Sequence, residues 1–178
     1  MDFKELVLTR QATRAYNGEP VEKEKLDAIL SMARLCPSAC NAQPWKVYAV
    51  TTPERVKAVR EAFQDRGANG FLSDVPAFFV LGEVLGGEMK PHVAERFGMR
   101  TFIPYDIGEM AAYITLAAAE LGLSTCIIGW TNKEKLRAAI GAPESVGLLL
   151  GVAVGYPKED VKVREKIRKP MEEFVEFI

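Results

Sequence analysis

The sequence predicts an α+β domain in which helices flank a mixed central sheet. Apolar residues recur at helical spacing in several segments, and short apolar runs with the length of buried strands lie between those segments. The strand-like runs are far enough apart for helices to connect them. The chain has 178 residues, 48% of them hydrophobic, which is enough for one domain with a buried core. We therefore expect residues 1–178 to form a single domain.

Two helices are predicted before the first strand. The first is a short amphipathic helix over residues 2–9, and the second spans about 22–34, where Pro37 stops it soon after its end. The segment between the two helices carries arginines but no apolar stripe. Residues 35–44 therefore connect a helix to a strand, which is predicted for residues 46–51.

The middle of the chain is predicted to hold a helix, a buried strand and an irregular segment. Thr52 and Pro53 have the residue types of a helix cap and a first helical residue, and the helix that they open runs to about Phe63. The apolar run over residues 76–82 predicts a second, buried strand. Residues 83–104 combine glycines, a proline and weak periodicity, which predicts a lid-like excursion with at most one short helix.

An alanine-rich helix is predicted after this excursion. Asp106 followed by Glu109 resembles a capping box, and the helix that it opens ends at Gly122. Because this helix is apolar nearly all round, we expect it to be buried at the domain centre or in a subunit interface. The short run STCII that follows is predicted to be a strand.

A helix and a strand complete the predicted regular structure. A second capping box, Thr131 with Glu134, opens a helix that runs to about Ile140. Residues 146–155, VGLLLGVAVG, predict a central strand. Their three spaced glycines are better explained by close strand packing than by a phosphate-binding loop, because they lie within an apolar run.

The last part of the chain, residues 158–178, differs from the rest in composition. An apolar run, MEEFVEFI, follows a basic stretch that contains Lys162, Arg164, Lys166, Arg168 and Lys169. A solvated basic arm is one interpretation. Since a terminal run rich in Val, Phe and Ile does not readily stay in water, we favour an arm that docks as a strand or wraps around a second subunit.

Charge and composition argue against several classes of function. The net charge of −1 gives no general attraction to nucleic acid or to an anionic membrane. The apolar stretches are too short to span a membrane and the N-terminus lacks the apolar region of a signal peptide, so we expect a soluble, cytoplasmic protein. No disulfide framework is expected, because the chain has three cysteines, Cys36, Cys40 and Cys126. No metal site is expected either, because these cysteines and the single His92 lack the spacing of zinc ligands.

Three groups of basic or polar residues lie far apart in the sequence. Each group alone is typical of a protein surface, but together they supply what a phosphorylated cofactor with polar ring edges requires, because arginine matches phosphate oxygens and amide side chains bond ring edges. No Walker loop and no glycine-rich dinucleotide motif is present. The three groups are Arg10 with Arg14, the loop residues Ser38, Asn41 and Gln43, and Lys166 with Arg168.

Five segments resemble, in order, the landmarks of the FMN-dependent nitroreductase family: RQATRAYNGEPV, ARLCPSACNAQPWKVYAV, YDIGEMAAYITLAAAELGLSTCIIGW, VAVGYP and REKIRKPMEEFV. The resemblance covers nearly the whole chain. Its most specific elements are the PSACNAQPW loop and the LGLSTCIIGW stretch. It implies the nitroreductase-like fold, an intertwined homodimer with residues 158–178 as a C-terminal arm, and FMN as the cofactor.

The resemblance also implies which residues bind FMN. Arg10, Lys166 and Arg168 would hold the phosphate, and Arg14 would lie near the pyrimidine edge of the ring, where a cation stabilises the anionic reduced flavin. The full set that the resemblance assigns to the cofactor is Arg10, Gln11, Ala12, Arg14, Pro37, Ser38, Ala39, Asn41, Asn69, Ile128, Gly129, Lys166 and Arg168.

Other members of this set have distinct implied positions. Residues 37–41 would come from the partner subunit and close the other side of the site. Ile128 and Gly129 would offer backbone groups toward flavin N5, and Asn69 would reach the ring. Ala12 stands where the family often has serine, so one hydroxyl contact to the cofactor is expected to be missing.

The implied function is an oxidoreductase in which FMN takes a hydride from NADH or NADPH at N5. A small acceptor, such as a nitroaromatic or a quinone, is then reduced in a ping-pong mechanism. No side chain is needed as a catalyst, and the implied partners are a second copy of the chain and the small acceptor, without nucleic acid or membrane. Two alternatives stay open: a flavin-binding or sensory module without turnover, and a different flavin enzyme on the same scaffold.

Overall fold

The structure is a computed structural model that describes residues 1–84, 90–98 and 100–178. Its helices are α1 (Phe3–Thr9), α2 (Lys23–Ala33), α3 (Pro53–Phe63), α4 (Pro91–Phe97), α5 (Ile103–Glu120), α6 (Lys133–Ile140) and α7 (Met171–Phe174). Its strands are β1 (Trp45–Val50), β2 (Ala77–Val84), β3 (Ser124–Ile128) and β4 (Val146–Gly155). None of the helices in these ranges combines the length and the apolar character that a membrane crossing requires.

The four strands form one sheet in the order β1-β2-β4-β3, and each neighbouring pair is antiparallel. The α+β class is confirmed. The sheet itself is antiparallel and not mixed as expected. Within the described residues, parallel pairing is limited to an isolated bridge between Ala12 and Thr125. The reason is visible between β1 and β2: residues 64–76 return the chain to the end of the sheet where β1 stops, so Phe78 lies opposite Val50.

Apolar side chains cover both faces of the sheet. On one face, α3 and α6 pack together over Phe78 and Val80, and on the other face, α2 and α5 pack over Phe79 and Leu81. Successive side chains of a strand point to opposite faces, so a strand that lies between two apolar layers must be apolar throughout. The predicted buried strand is therefore confirmed as the central strand β2, which is buried from Ala77 to Glu83.

The glycines of β4 lie where neighbouring groups leave no room for a side chain. A Cβ atom on Gly151 would overlap the ring of Phe63, and one on Gly155 would lie 2.7 Å from Cδ of Pro76. Gly147 is crowded in the same way. The prediction that these glycines serve close packing is confirmed.

Two of the predicted helix starts are wrong. Helix α5 begins at Ile103, so Asp106 lies inside its first turn and does not cap it. Pro104 suits this earlier start, because the first turn needs no backbone N–H from it. Helix α6 is capped by Asn132 and not by Thr131: the Asn132 side chain accepts a hydrogen bond of 3.0 Å from a backbone N–H of the first turn, and asparagine is the better cap.

The predicted excursion over residues 83–104 is only partly described. Glu83 and Val84 belong to β2, α4 is a short helix within the segment, and α5 already begins at Ile103. The carboxylate of Glu83 is buried and accepts a hydrogen bond from the guanidinium of Arg100, which ties the end of the segment to the sheet. Residues 85–89 and 99 lie outside the described residues, and the role as a lid stays a prediction.

Residues 158–178, which we call the C-terminal tail, do not form the expected strand. Regular structure in the tail is limited to the four-residue helix α7. The tail instead contacts residues 10–12 through side-chain hydrogen bonds. Its apolar end stays exposed, since Phe174 and Phe177 keep 75% and 91% of their surface accessible to solvent. A tail that wraps around a second subunit stays a prediction.

Candidate cofactor-binding site

Four cationic side chains surround a cleft of about 540 Å³ between residues 10–12 and the C-terminal tail. Lys166 Nζ donates a hydrogen bond of 2.7 Å to the backbone carbonyl of Arg10, which brings two of the four cations together. The residues that line the cleft are Arg10, Gln11, Ala12, Arg164, Glu165, Lys166, Ile167 and Arg168.

The electrostatics of this cleft favour an anion. Burial lowers the pKa of Lys166, and the positive charges of Arg10, Arg168 and Arg164 lower it further. The ion pairs found among the described residues involve none of these four cations. A group with two negative charges would relieve their mutual repulsion and would match the fork of an arginine, as a phosphate does.

Arg164 belongs to this cluster, although it is absent from the predicted set of cofactor residues. Its Nη2 donates a hydrogen bond of 2.7 Å to the backbone carbonyl of Ala12. The signal in the sequence was the alternation of basic residues at positions 164, 166 and 168. Alternation becomes informative only once the contact between the tail and residues 10–12 is known.

A second group of predicted residues lies at the far end of β3. Ile128 is the last residue of that strand and is buried, and Gly129 follows it at the surface. Asn69 Nδ2 donates hydrogen bonds to the backbone carbonyls of Phe63, at 2.8 Å, and Trp130, at 3.4 Å, so Asn69 lies directly beside this turn.

Arg14 points toward the same region. Its guanidinium carbon lies 5.9 Å from the centre of the Phe71 ring, two residues beyond Asn69 in the sequence. Ala12 pairs with Thr125 near the start of β3. Gly129 lies four residues after Thr125, or about 13 Å at the usual rise per residue of a strand. The cation cluster and the polar residues around Gly129 therefore lie along one strand edge.

The predicted loop over residues 37–41 has an unusual backbone. Cys40, Asn41 and Gln43 have φ angles of 55°, 55° and 47°, in the left-handed region that residues other than glycine seldom adopt. Ser38 Oγ accepts a hydrogen bond of 2.9 Å from the backbone N–H of Gln43, which closes the loop on itself. Such a backbone persists only where its surroundings hold it, as is common at binding sites.

The loop and the cation cluster are not brought together within one protomer. The backbone N–H of Ala39 donates to Asp106, in the first turn of α5. Arg10 shares a cleft with Ala119, near the other end of α5. Ala119 lies thirteen residues after Asp106 in the same helix, or about 20 Å along its axis. The loop of the same chain is therefore too far away to contact an anion at Arg10.

Trp45 and Cys126 pack in the apolar layers, whereas His92 lies at the surface. Trp45 is partly buried against the apolar layer of α2 and α5, as expected of a core residue. Cys126 is buried, and burial raises the pKa of its thiol. His92 is exposed on α4. Among the described residues, no three His, Cys, Asp or Glu side chains gather closely enough to hold a metal ion.

Comparison with known proteins identifies the family. The model of the nitroreductase family matches residues 7–83 and 63–156. The chain therefore belongs to the nitroreductase family.

Individual relatives match over most of their length. An NADH dehydrogenase from Thermus thermophilus is 28% identical over 185 residues, which cover 90% of this chain and 89% of that protein. A Cr(VI) reductase from a Pseudomonas species is 25% identical, with 92% of this chain and 70% of that protein covered. A protein from Exiguobacterium sibiricum, described as a nitroreductase and crystallised in complex with FMN, superimposes with a TM-score of 0.84 at 20% identity, covering 100% of this chain and 98% of that one.

Proposed function

We propose that this protein is an FMN-dependent oxidoreductase that uses NADH or NADPH to reduce a small acceptor. The observation that carries the proposal is the arrangement along β3: a cluster of cations without anionic partners among the described residues lies at one end, and a polar turn lies at the other. A molecule with a phosphate at one end and a polar ring at the other matches this arrangement. The nitroreductase family and the relative crystallised with FMN support the same cofactor.

The chain's own residues would divide the work of binding. Arg10, Lys166 and Arg168 would hold the phosphate, because their charges converge on one cleft and leave guanidinium and ammonium donors free for its oxygens. Gln11 and Ala12 border the same cleft, and Ala12 offers no hydroxyl to the cofactor.

A separate set of residues would orient the ring. Arg14 would place a cation near the ring, while Asn69 and the backbone of Ile128 and Gly129 would bond its polar edge. When bound, FMN supplies the hydride and electron chemistry, so no side chain of this chain has to act as a covalent catalyst.

The proposed site needs a second copy of the chain. Pro37, Ser38, Ala39 and Asn41 are too far from the cation cluster of their own protomer to close it, so we assign them to the site of the partner. The outer face of α5 supports an interface, since Tyr105 and Tyr113 are 67% and 41% exposed. Helix α1 buries none of its residues in the protomer, and the apolar end of the tail is exposed as well.

Light scattering at micromolar concentration tests the homodimer. We expect the mass of two chains of 19.7 kDa each. Each chain would form one domain over residues 1–178. Tyr113→Arg should lower that mass and weaken FMN binding together, because the same interface would complete the site. A monomer that binds FMN as tightly as the dimer would contradict the shared site.

Turnover is tested by adding NADH and NADPH separately to the purified protein without oxygen. We expect the flavin absorbance to bleach and to return when a quinone, a nitroaromatic compound or chromate is added. Initial rates measured at several concentrations of both substrates should give the parallel double-reciprocal plots of a ping-pong mechanism. Bleaching without recovery on any acceptor, or no bleaching with either nucleotide, would favour a flavin-binding module without turnover. Recovery on one acceptor class alone would identify the substrate class.

A further inference from the structure

We propose that Gln11 is a positioning residue, which together with Arg164 fastens the C-terminal tail so that Lys166 and Arg168 face the anion cleft. The identity of the anion rests on the proposed function, but the fastening itself does not. Gln11 would then serve the site through the tail and not through a direct bond to the cofactor.

The side-chain amide of Gln11 bonds to the tail backbone in two directions. Its Nε2 donates a hydrogen bond of 3.0 Å to the backbone carbonyl of Lys162, and its Oε1 accepts one of 3.0 Å from the backbone N–H of Arg164. A carboxamide carries the same donor and acceptor as a peptide group. Gln11 therefore pairs with the tail as a neighbouring strand would, which explains how the tail docks without a strand of its own.

Basic side chains of the tail in turn donate hydrogen bonds to residues 10–12. Arg164 Nε donates to Oε1 of Gln11 at 3.3 Å, and its Nη2 donates to the carbonyl of Ala12 at 2.7 Å. Two residues further along the tail, Lys166 donates to the carbonyl of Arg10. The tail thus runs antiparallel to residues 10–12, with hydrogen bonds to them at residues 162, 164 and 166.

The charge of the cluster explains why a fastening is needed. Arg10, Arg164, Lys166 and Arg168 repel one another, which opposes the docking of the tail as long as no anion is present. The neutral amide of Gln11 adds hydrogen bonds to the tail without neutralising the positive charge of the cluster, which attracts an anion. A glutamate at position 11 would bond Arg164 but would lose the bond to the Lys162 carbonyl and would compete with the anion for the cations.

The test measures tail order and FMN affinity separately in wild type, Gln11→Ala, Gln11→Glu and the control Lys162→Ala. The side chain of Lys162 makes no hydrogen bond or ion pair among the described residues, and the control keeps its backbone carbonyl while removing one charge from the tail. Tail order is read as hydrogen exchange of the Arg164 backbone amide in protein freed of flavin. FMN affinity is read as a dissociation constant by fluorescence titration.

We expect exchange at the Arg164 amide to be about ten-fold or more faster in Gln11→Ala than in wild type or Lys162→Ala. The FMN dissociation constant should rise about ten-fold in Gln11→Ala, and further in Gln11→Glu. Global unfolding midpoints serve as the check that both variants fold.

The outcomes separate the two proposals. If the wild-type chain binds no FMN but Gln11→Ala still releases the Arg164 amide, the fastening stands and the proposed function fails. If Gln11→Ala weakens FMN binding while the exchange rate of the Arg164 amide stays unchanged, Gln11 is a direct ligand and the positioning role is overturned. Unchanged exchange together with unchanged affinity overturns it as well.

Discussion

The carboxylate of Asp106 accepts a hydrogen bond of 3.1 Å from the backbone N–H of Ala39. Asp106 is 4% exposed, and its second oxygen, Oδ2, has no hydrogen-bond partner among the described residues. This contact joins the first turn of α5 to the strained loop over residues 37–41, which we assign to the site of the partner subunit. One buried carboxylate thus links the fold of each protomer to the proposed site of the other.

Asp106→Ala should therefore destabilise the protein by about 1 kcal/mol, because it removes the acceptor of the partly buried Ala39 N–H. Asp106→Asn keeps an acceptor oxygen and should cost less. Urea unfolding measures both free energies of unfolding, and FMN titration of the dimer should show weaker binding for the alanine variant. Equal stability of Asp106→Ala and wild type would contradict a role for this bond in holding the loop.

Gly151→Ala should destabilise the protein, since the added Cβ would overlap the ring of Phe63. Overpacking of a core usually costs about 1–3 kcal/mol. Gly70→Ala is the matched control, because its Cβ would meet no atom within 4 Å. Thermal unfolding of the two variants should show a clear loss for the first and little change for the second. A similar midpoint for both would mean that β4 and α3 are not packed as described.

Arg168→Ala and Arg14→Ala should separate phosphate binding from redox chemistry. Loss of a charge-assisted bond to phosphate is worth roughly 1.5–3 kcal/mol, so Arg168→Ala should weaken FMN binding by about one to two orders of magnitude. Its flavin potential should change little.

Arg14→Ala should instead lower the midpoint potential of bound FMN and slow reduction by NADH, because it removes a cation beside the reduced ring. Dissociation constants and photoreduction potentials of the two variants give both quantities. A wild-type potential in Arg14→Ala together with a shifted potential in Arg168→Ala would show that the two residues are assigned to the wrong ends of the cofactor.

Stability at high pH should depend on Cys36. Burial, with the negative charges of Glu109 and Asp106, raises the pKa of the Cys36 thiol to about 11. A thiol in the unfolded chain loses its proton near pH 8.5. The neutral thiol therefore contributes its full stabilisation below that pH, and the contribution is lost as the pH rises toward 11.

Urea midpoints of wild type and Cys36→Ala between pH 8 and 11 test this dependence. The wild type should lose stability more steeply than the variant over that interval, since other titrating groups are common to both proteins. Parallel curves for the two proteins would contradict a protonated, buried thiol at Cys36.

Local patterns were sufficient for most of the regular structure. Helical periodicity predicts α2, the Thr52–Pro53 pair predicts α3, and the glycine spacing of β4 indicates close packing, as observed. The Asp106 capping box failed because an acidic residue three positions before a glutamate has the same local pattern whether it caps a helix or bonds elsewhere, and the Thr131 box failed because the neighbouring Asn132 is the cap. Asp106 bonds Ala39, a contact across 67 residues that no local pattern contains.

The candidate site depended more on long-range contacts. The family resemblance points to position 11, but the pairing of Gln11 with the tail spans 151 residues of sequence. Local periodicity does not reveal such a contact. Arg164 is absent from the predicted set for the same reason. The assignment of the loop over residues 37–41 to a partner stays a prediction, since it concerns a second copy of the chain.

The identity of the bound chromophore decides whether this protein is an FMN-dependent oxidoreductase. The protein should be purified after expression with ample flavin and then denatured, and the released chromophore should be separated by chromatography and quantified against protein. We expect FMN, with one molecule per chain, because the cations converge on one cleft that suits a single terminal phosphate and the sequence contains no glycine-rich dinucleotide motif. Release of FAD, or of no flavin at all, would contradict it.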